Sequence, residues 1–246
     1  MSPSPRPWAS VVIPIKDELD NLRPLTERLV KVLDGLEHTA TAPYEIVYVD
    51  DGSTDGSSAL LDELVKTYPS VKVIHFDRNY GQTSGFDAGF RHATGDLIIT
   101  MDGDLQLDPG DIPLLLPLAA SHDLVCGWRK DRNDNIIRKI SSRIAFFVRS
   151  RVTGDPIHDT GCSLKVFRRA VIERVPLFEG MHRFFPALAN IYGFTLAEVP
   201  VHHYPRAHGQ SKYGLGIGSR LFKSLYDLFA VRWMQHRCLR YKLREK

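Results

Sequence analysis

The sequence has few of the residues on which secreted and zinc-binding proteins depend. Its 246 residues include only three cysteines, which are widely separated and form no CxxC pair: Cys126, Cys162 and Cys238. This scarcity excludes a disulfide framework and the usual zinc site, and it favours a reducing compartment. The N-terminal segment MSPSPRPWAS carries prolines where a signal peptide needs an apolar stretch. We therefore expect a cytoplasmic protein.

Two further patterns are missing. No apolar run approaches the ~18 residues that cross a bilayer, so we do not expect the chain to span a membrane by itself. No GxGxxG sequence follows the first predicted strand, which argues against a dinucleotide-dependent oxidoreductase. What is present is an ordinary globular composition, 43% hydrophobic and 25% charged. The length suits one large domain.

The charges are distributed unevenly along the chain. Residues 217–246 contain eight Lys or Arg and two acids, a local net charge of +6 against +3 for the whole chain, so residues 1–216 carry −3. Apolar residues in this segment recur at helical spacing: Ile217, Leu221, Leu225, Leu228, Phe229 and Trp233. The pattern predicts either a helix packed on the sheet or an interfacial helix on anionic lipid. Phe184–Phe185 is a second apolar candidate for lipid contact.

The hydrophobic pattern predicts an α/β fold. Predicted strands at 10–15, 45–53, 71–76 and 96–104 alternate with helices near 20–36, 57–68 and 84–93. Further helices are predicted near 110–121 and 136–152, a strand and a helix within 160–175, and strands within 122–129 and 193–206. This alternation predicts a Rossmann-like, mostly parallel sheet flanked by helices. Ligands of such sheets bind beyond the carboxyl ends of the strands.

Acidic residues stand at those predicted strand ends. The most informative set is Asp102-Gly103-Asp104, where two carboxylates are separated by one small residue and Gln106 follows. Hard oxygen ligands suit Mg²⁺ or Mn²⁺, and such a cation would neutralise a departing diphosphate. A plain Asp-Gly turn is the alternative. Because other acids end neighbouring strands, we favour a metal site formed by Asp102, Asp104 and Gln106.

Two more loops at this edge are candidates for binding substrate. Asp50 and Asp51 can accept hydrogen bonds from a ribose or a base, since helix capping explains the following Ser53–Asp55 but not two adjacent acids. In the segment 78–82, RNYGQ, Gly81 and Gln82 can approach a phosphate at a helix N-terminus. An ordinary turn is the alternative for this second segment.

Two later segments offer weaker signals. Asp159, in HDTGC, is either a general base, a group that positions the acceptor, or a turn aspartate, and the residues alone favour the turn. The segment 206–213, RAHGQSKY, gathers Arg206, Ser211 and Lys212 around a glycine. A loop of this composition can close over a diphosphate, with Arg206 as a fork and Lys212 as a point charge. A solvated loop is the alternative.

Seven motifs occur in an order that is typical of one family: VVIPIKDE, EIVYVDDGSTD, RNYGQ, MDGDLQ, GWR, DTG and RxxGxSKY. From about residue 10 to 235 the chain resembles the dolichol-phosphate mannose synthase-like branch of glycosyltransferase family 2, which includes bacterial polyprenyl-phosphate glycosyltransferases. The resemblance implies a GT-A fold at 10–216, an inverting mechanism and Mg²⁺ or Mn²⁺. Residues 1–9 would then be a flexible N-terminus and 217–246 a basic amphipathic helix.

The resemblance also implies roles for individual residues. Pro14, Glu18 and Asp51 would contact the nucleoside, Asp102 would lie near the nucleotide and sugar, and Asp104 and Gln106 would hold the metal. Arg129, in GWR, would approach a donor or acceptor phosphate, Asp159 would sit near the acceptor, and Arg206, Ser211 and Lys212 would belong to a closing loop. Gln82 stands where many relatives have lysine, and Lys16 departs from the usual residue near the base.

We expect from this resemblance a hexosyltransferase that moves a sugar from a nucleotide diphosphate, UDP in preference to GDP, to a polyprenyl phosphate. It would work at the cytoplasmic face of an anionic membrane. A separate membrane subunit and a homo-oligomer remain open, and no nucleic-acid recognition motif accompanies the basic tail. The alternatives are transfer to a saccharide or protein hydroxyl, and a catalytically silent nucleotide-sugar binding protein.

Overall fold

A seven-stranded sheet with helices on both faces forms the protein. The computed structural model describes residues 6–130, 146–206 and 217–239. The strands are β1 Ala9–Ile15, β2 Tyr44–Asp50, β3 Val71–His75, β4 Leu97–Thr100, β5 Leu124–Trp128, β6 Lys165–Arg168 and β7 Leu196–Pro200. The helices are α1 Leu19–Asp34, α2 Ser57–Thr67, α3 Gln82–His92, α4 Ile112–Ala119, α5 146–153, α6 Arg169–Arg174, α7 Phe185–Ile191 and α8 Ile217–Arg237.

The strand order is β3-β2-β1-β4-β6-β5-β7. β1 pairs in parallel with both β2 and β4, and β5 pairs in parallel with β7. β6 is antiparallel to β4 and to β5, so the other six strands point the same way. The carboxyl ends of β1, β2, β4 and β5 therefore meet at one edge. The strand order reverses beside β1, which is where such sheets bind ligands.

Each face of the sheet carries its own hydrophobic core, because alternate strand residues point to opposite faces. On one face Val11, Ile13 and Ile15 pack with the leucines of α1, α2 and α4. On the other face Val12 and Val47 pack with residues of α3, α7 and α8. Helix α3 approaches closely, since a Cβ at Gly89 would stand 2.3 Å from Cγ1 of Val12. The helices are thereby fixed against the strands whose ends form the site.

Most predicted elements within the described residues are confirmed, and the prediction of a mostly parallel sheet is correct. Of the helix predicted near 136–152, residues 136–145 lie outside the described residues. The fourth strand ends at Thr100, before the acids, because the chain turns at Met101. Helix α7 is absent from the prediction. The prediction that Phe184–Phe185 meets lipid is wrong, because these side chains are 6% and 4% exposed. They pack in the second core, where Phe185 contacts Phe86, Phe90 and Phe167.

Helix α8 divides its apolar residues between two sides. Leu228 and Val231 are 7% and 0% exposed and belong to the second core. Tyr226, Phe229 and Trp233 are 77%, 71% and 63% exposed. The helix thus packs on the domain with one side and presents aromatic residues on another. Within the part of the chain that the structure describes, no helix combines the length and the apolar character needed to cross a bilayer.

Candidate active site

The Asp-Gly-Asp turn lies directly after β4, beside β1. Leu105 has a φ of 58°, a left-handed conformation that few residues adopt, and this closes the turn. Gly103 is required by space, since a Cβ there would lie 2.3 Å from Cδ1 of Ile15. The backbone N–H of Asp102 donates to the hydroxyl of Ser163 at 3.0 Å, and Thr100 donates to the Ser163 carbonyl at 2.6 Å. Ser163 therefore holds both the end of β4 and the turn that follows it.

Asp102 is the first carboxylate of the pair. The side chain of Gln82, at the start of α3, donates to its Oδ1 at 2.8 Å. Burial raises the pKa of Asp102, and the neighbouring charge of Asp104 raises it further. The charges of Lys165 and Arg129 act in the opposite direction. Asp102 is thus a half-buried carboxylate whose charge is only partly compensated.

Asp104 is the second carboxylate, and an arginine from a distant segment neutralises it. Nη2 of Arg206 lies 2.8 Å from Oδ2 of Asp104, while Nη1 lies 3.4 Å from Oε1 of Glu18. All three side chains are at least 79% buried. An isolated bridge between Leu107 and His203 brings this segment to the site, and the N–H of Tyr204 donates to the carbonyl of Gln106.

The two acids fit a divalent cation. They offer carboxylate oxygens one residue apart, the charge of Asp104 adds to burial in raising the pKa of Asp102, and a guanidinium already pairs with Asp104. Gln106 donates its backbone N–H to Asp104 at 3.1 Å, and its amide Nε2 lies 3.4 Å from the Tyr204 carbonyl. In the described residues no group of three or more His, Cys, Asp or Glu is arranged as a metal site.

Asp51 ties the end of β2 to the start of α3. Its two oxygens accept the backbone N–H groups of Tyr80 and Gly81 at 2.6 and 2.9 Å. Burial raises the pKa of Asp51, although these hydrogen bonds oppose the shift. Gly81 has a φ of 90°. The N–H of Gly81, a residue predicted to approach a phosphate, therefore binds Asp51. Pro14 lies against the same helix, since a Cβ at Gly85 would be 2.9 Å from its Cβ.

Asp50 has a different environment from its neighbour. It is 1% exposed and accepts from the Ser53 N–H at 2.9 Å, the Ser58 hydroxyl and Nδ1 of His75 at 2.8 Å. Burial alone would raise the pKa of Asp50, but these hydrogen bonds lower it. Asp50 therefore organises the 53–58 turn, and the structure does not support the substrate contact predicted for it.

A second ion pair lies beyond β5. Arg129 donates two guanidinium hydrogen bonds to Asp159, from Nε at 2.7 Å and from Nη2 at 2.9 Å. The pair is 14% and 18% exposed. Burial opposes ionisation of Asp159, yet the Arg129 guanidinium lowers its pKa. Ser163, four residues after Asp159, accepts the backbone N–H of Asp102 at 3.0 Å, so one short segment joins the two charged pairs into one cluster.

Sequence comparison connects this cluster to known enzymes. The family model described as glycosyl transferase family 2 matches residues 10–175. This range contains most of β1, all of β2 to β6, and the turns with Asp51 and with Asp102 and Asp104. The chain belongs to glycosyltransferase family 2. The chain is 40% identical over 241 residues to the dodecaprenyl-phosphate galacturonate synthase of Rhizobium johnstonii, covering 96% of this chain and 68% of the relative.

Two further comparisons show how far this family-2 transferase resembles others. It is 40% identical to the undecaprenyl-phosphate 4-deoxy-4-formamido-L-arabinose transferase of Edwardsiella ictaluri, over 90% of this chain and 66% of the relative. The chain thus spans about two thirds of the length of these relatives. The glucosyl-3-phosphoglycerate synthase of Mycobacterium tuberculosis, solved with Mn²⁺ and UDP-glucose, shares the fold at TM-score 0.66 and 15% identity, over 92% of this chain and 79% of that chain. The fold is therefore GT-A.

The structure brings most predicted site residues of the transferase to one edge. Glu18, Asp51, Gln82, Asp102, Asp104, Gln106, Arg129, Asp159 and Arg206 lie in the turns described above, whereas Ser211 and Lys212 lie outside the described residues. Sequence reasoning missed Ser163 and Glu198, which hold the Asp102 and Asp159 segments. It also missed Lys165, 3% exposed, whose ammonium donates to the Cys162 carbonyl and acts electrostatically on Asp102 and Asp159.

Proposed function

We propose that this transferase moves a sugar from a nucleotide diphosphate sugar to a polyprenyl phosphate, with inversion at the anomeric carbon. The observation that carries the proposal is the juxtaposition of the Asp102–Asp104 pair with the Arg129–Asp159 pair at the carboxyl edge of the sheet. One pair suits a cation and a diphosphate, and the other offers an arginine for a phosphate. The names of both sequence relatives specify polyprenyl phosphates, which supports this acceptor class.

On the donor side, Asp102 and Asp104 would hold Mg²⁺ or Mn²⁺. The bound cation would supply charge neutralisation for the departing diphosphate. Gln82 holds Oδ1 of Asp102 through its 2.8 Å hydrogen bond. Arg206 would leave Asp104 and move to the donor phosphates. The Mn²⁺ and UDP-glucose in the solved neighbour support the metal and a uridine nucleotide as the donor carrier.

On the acceptor side, no general base is needed. A phosphate monoester is an anion near neutral pH, so it attacks the anomeric carbon without first losing a proton to the protein. Asp159 suits this chemistry, because the guanidinium of Arg129 lowers its pKa and takes both of its oxygens. Its role would be to orient Arg129 toward the acceptor phosphate. Positioning and charge stabilisation would then supply most of the rate enhancement.

An activity measurement tests the metal and the acceptor together. Asp104→Ala should lose transfer to polyprenyl phosphate by a factor of ~100 or more while the protein stays folded. Asp108→Ala is the matched control, because Asp108 caps the next turn by accepting the Gly110 N–H and lies outside the cluster. The wild type is assayed with EDTA, Mg²⁺ or Mn²⁺, and with UDP or GDP sugars. Full activity of Asp104→Ala, or transfer only to saccharide hydroxyls, would contradict the proposal.

The exposed side of α8 supports a further part of the proposal: peripheral binding to an anionic membrane at its cytoplasmic face. Tyr226, Phe229 and Trp233 provide large exposed aromatic side chains, and Arg232 and Arg237 lie among them. Aromatic and basic residues together suit the headgroup region of anionic lipid. Flotation with vesicles containing phosphatidylglycerol should retain the wild type at low salt and release the double variant Phe229→Ser, Trp233→Ser. Equal flotation of both proteins would contradict this part.

A further inference from the structure

Glu198, on β7, holds the segment that carries Asp159. Its Oε1 accepts the N–H of Asp159 at 2.9 Å, and its Oε2 accepts both the N–H of His158 at 3.2 Å and Nδ1 of the same residue at 2.8 Å. The Glu198 side chain is 11% exposed. One nearly buried carboxylate therefore fixes the backbone and a side chain of two consecutive residues.

From Glu198 the contacts continue to Arg129. Asp159, placed by Glu198, binds the Arg129 guanidinium through two hydrogen bonds of 2.7 and 2.9 Å and accepts the Arg129 backbone N–H at 3.3 Å. A two-point carboxylate contact fixes the plane of a guanidinium as well as its position. The direction in which Arg129 presents its remaining N–H groups thus depends on where Glu198 holds Asp159.

His158 provides a second connection to the same arginine. Its ring lies between two aromatic rings, with centroids 4.8 Å from Trp128 and 4.9 Å from Phe146, at interplanar angles of 19° and 12°. Trp128 immediately precedes Arg129 at the end of β5. The hydrogen bond from Nδ1 to Glu198 fixes the imidazole in this stack. Glu198 therefore restrains Arg129 through Asp159 and, by way of His158, through Trp128.

We propose that Glu198 is a positioning residue that aims Arg129 at the acceptor phosphate. This inference rests on the proposed function, since it assigns the acceptor phosphate to Arg129. Loss of the Glu198 carboxylate would leave Arg129 paired with Asp159 but would free the 158–159 segment to shift. A displacement of about 1 Å at such a contact reduces reaction rates by as much as ~100-fold. The KM for the acceptor should therefore change, whereas the KM for the donor should not.

Asp123 provides a matched control for a purely structural carboxylate. It precedes β5 and accepts the N–H and hydroxyl of Thr195 at 2.8 and 2.7 Å, at the opposite end of the same pair of strands. Like Glu198, it holds a loop to the β5–β7 pair through backbone and side-chain hydrogen bonds. Unlike Glu198, it lies away from Arg129. Asp123→Asn therefore reports what the loss of a loop anchor alone does.

The test compares Glu198→Gln with Asp123→Asn, using a short-chain polyprenyl phosphate as acceptor. Glu198→Gln should raise the acceptor KM ~10- to 100-fold with the donor KM changed less than about twofold, while Asp123→Asn changes neither KM. In an Asp159→Asn background, Glu198→Gln should add little further effect on the acceptor KM, because both act through Arg129. An unchanged acceptor KM, equal changes in both KM values, or additive effects would overturn the inference.

Two further outcomes are separable. If Glu198→Gln does not fold, Glu198→Asp, which keeps the charge but shortens the side chain, replaces it with the same expected split between the KM values. If the wild type transfers no sugar to any polyprenyl phosphate, the proposed function fails, and this inference fails with it. If the wild type transfers normally and Glu198 variants keep the wild-type acceptor KM, only this inference fails.

Discussion

Replacing Arg206 by Met should increase the affinity of the enzyme for Mn²⁺ in the absence of nucleotide. The guanidinium neutralises Asp104 at 2.8 Å and Glu18 at 3.4 Å, so a cation must displace it to reach Asp104. Two unit charges 4 Å apart interact by about 4 kcal/mol at an effective dielectric constant of ~20. Side-chain entropy and solvation reduce the net value of partly exposed pairs to about 1 kcal/mol.

For a pair as buried as this one we take a net value of about 1–2 kcal/mol, which corresponds to an increase of roughly 5- to 30-fold in metal affinity. Titration calorimetry with Mn²⁺ at fixed pH and ionic strength measures this increase in affinity. Arg206→Lys should show a smaller increase in affinity, because lysine keeps the positive charge but loses the two-nitrogen contact of the guanidinium. Arg91→Met is the control, since Arg91 pairs with Asp87 on the surface of α3. Unchanged or weaker Mn²⁺ binding by Arg206→Met would show that the guanidinium does not compete with the cation for Asp104.

Two other predictions concern stability. Burial, followed by the charges of Arg183 and Lys165, lowers the pKa of His182 to about 4. Between pH 6.5 and pH 4 the unfolded state therefore binds the proton more strongly than the folded state. As the pH is lowered through this range, the free energy of unfolding should decrease by up to ~3 kcal/mol. Urea unfolding of the wild type and of His182→Gln at pH 7 and pH 5 measures this decrease, which should be smaller in the variant. The same decrease in both proteins would contradict the prediction. Gly89→Ala should destabilise the protein by about 1–3 kcal/mol, because the added methyl would stand 2.3 Å from Cγ1 of Val12. Thermal unfolding measures this loss, and an unchanged melting temperature would contradict the close packing of α3.

The sequence predicts the regular half of the fold well. Runs such as 10–15 and 45–50 are apolar and short, and the helices between them have clear periodicity, so local patterns determine these elements. Helix α7 was missed because FPALANI is only seven residues long and apolar throughout, which gives no helical periodicity. The antiparallel direction of β6 depends on how the chain returns to the sheet, which local pattern does not encode.

The site shows the same division. Asp102 and Asp104 are predictable because both stand at one strand end. Asp50 and Asp51 look equivalent in sequence, but successive residues leave a strand in opposite directions, so only the three-dimensional turn shows that one anchors the 53–58 turn and the other the start of α3. The pairing of Arg206 with Glu18 joins residues 188 positions apart, and no sequence signal identifies Glu198.

The proposed function requires Asp102 and Asp104 to hold a cation that binds the donor diphosphate. A crystal structure of the protein with Mn²⁺ and UDP would show whether they do. We predict anomalous density for Mn²⁺ in contact with the Asp104 carboxylate and the diphosphate, with Arg206 displaced from Asp104. Manganese and nucleotide bound elsewhere, with the Arg206–Asp104 pair intact, would rule out this metal site.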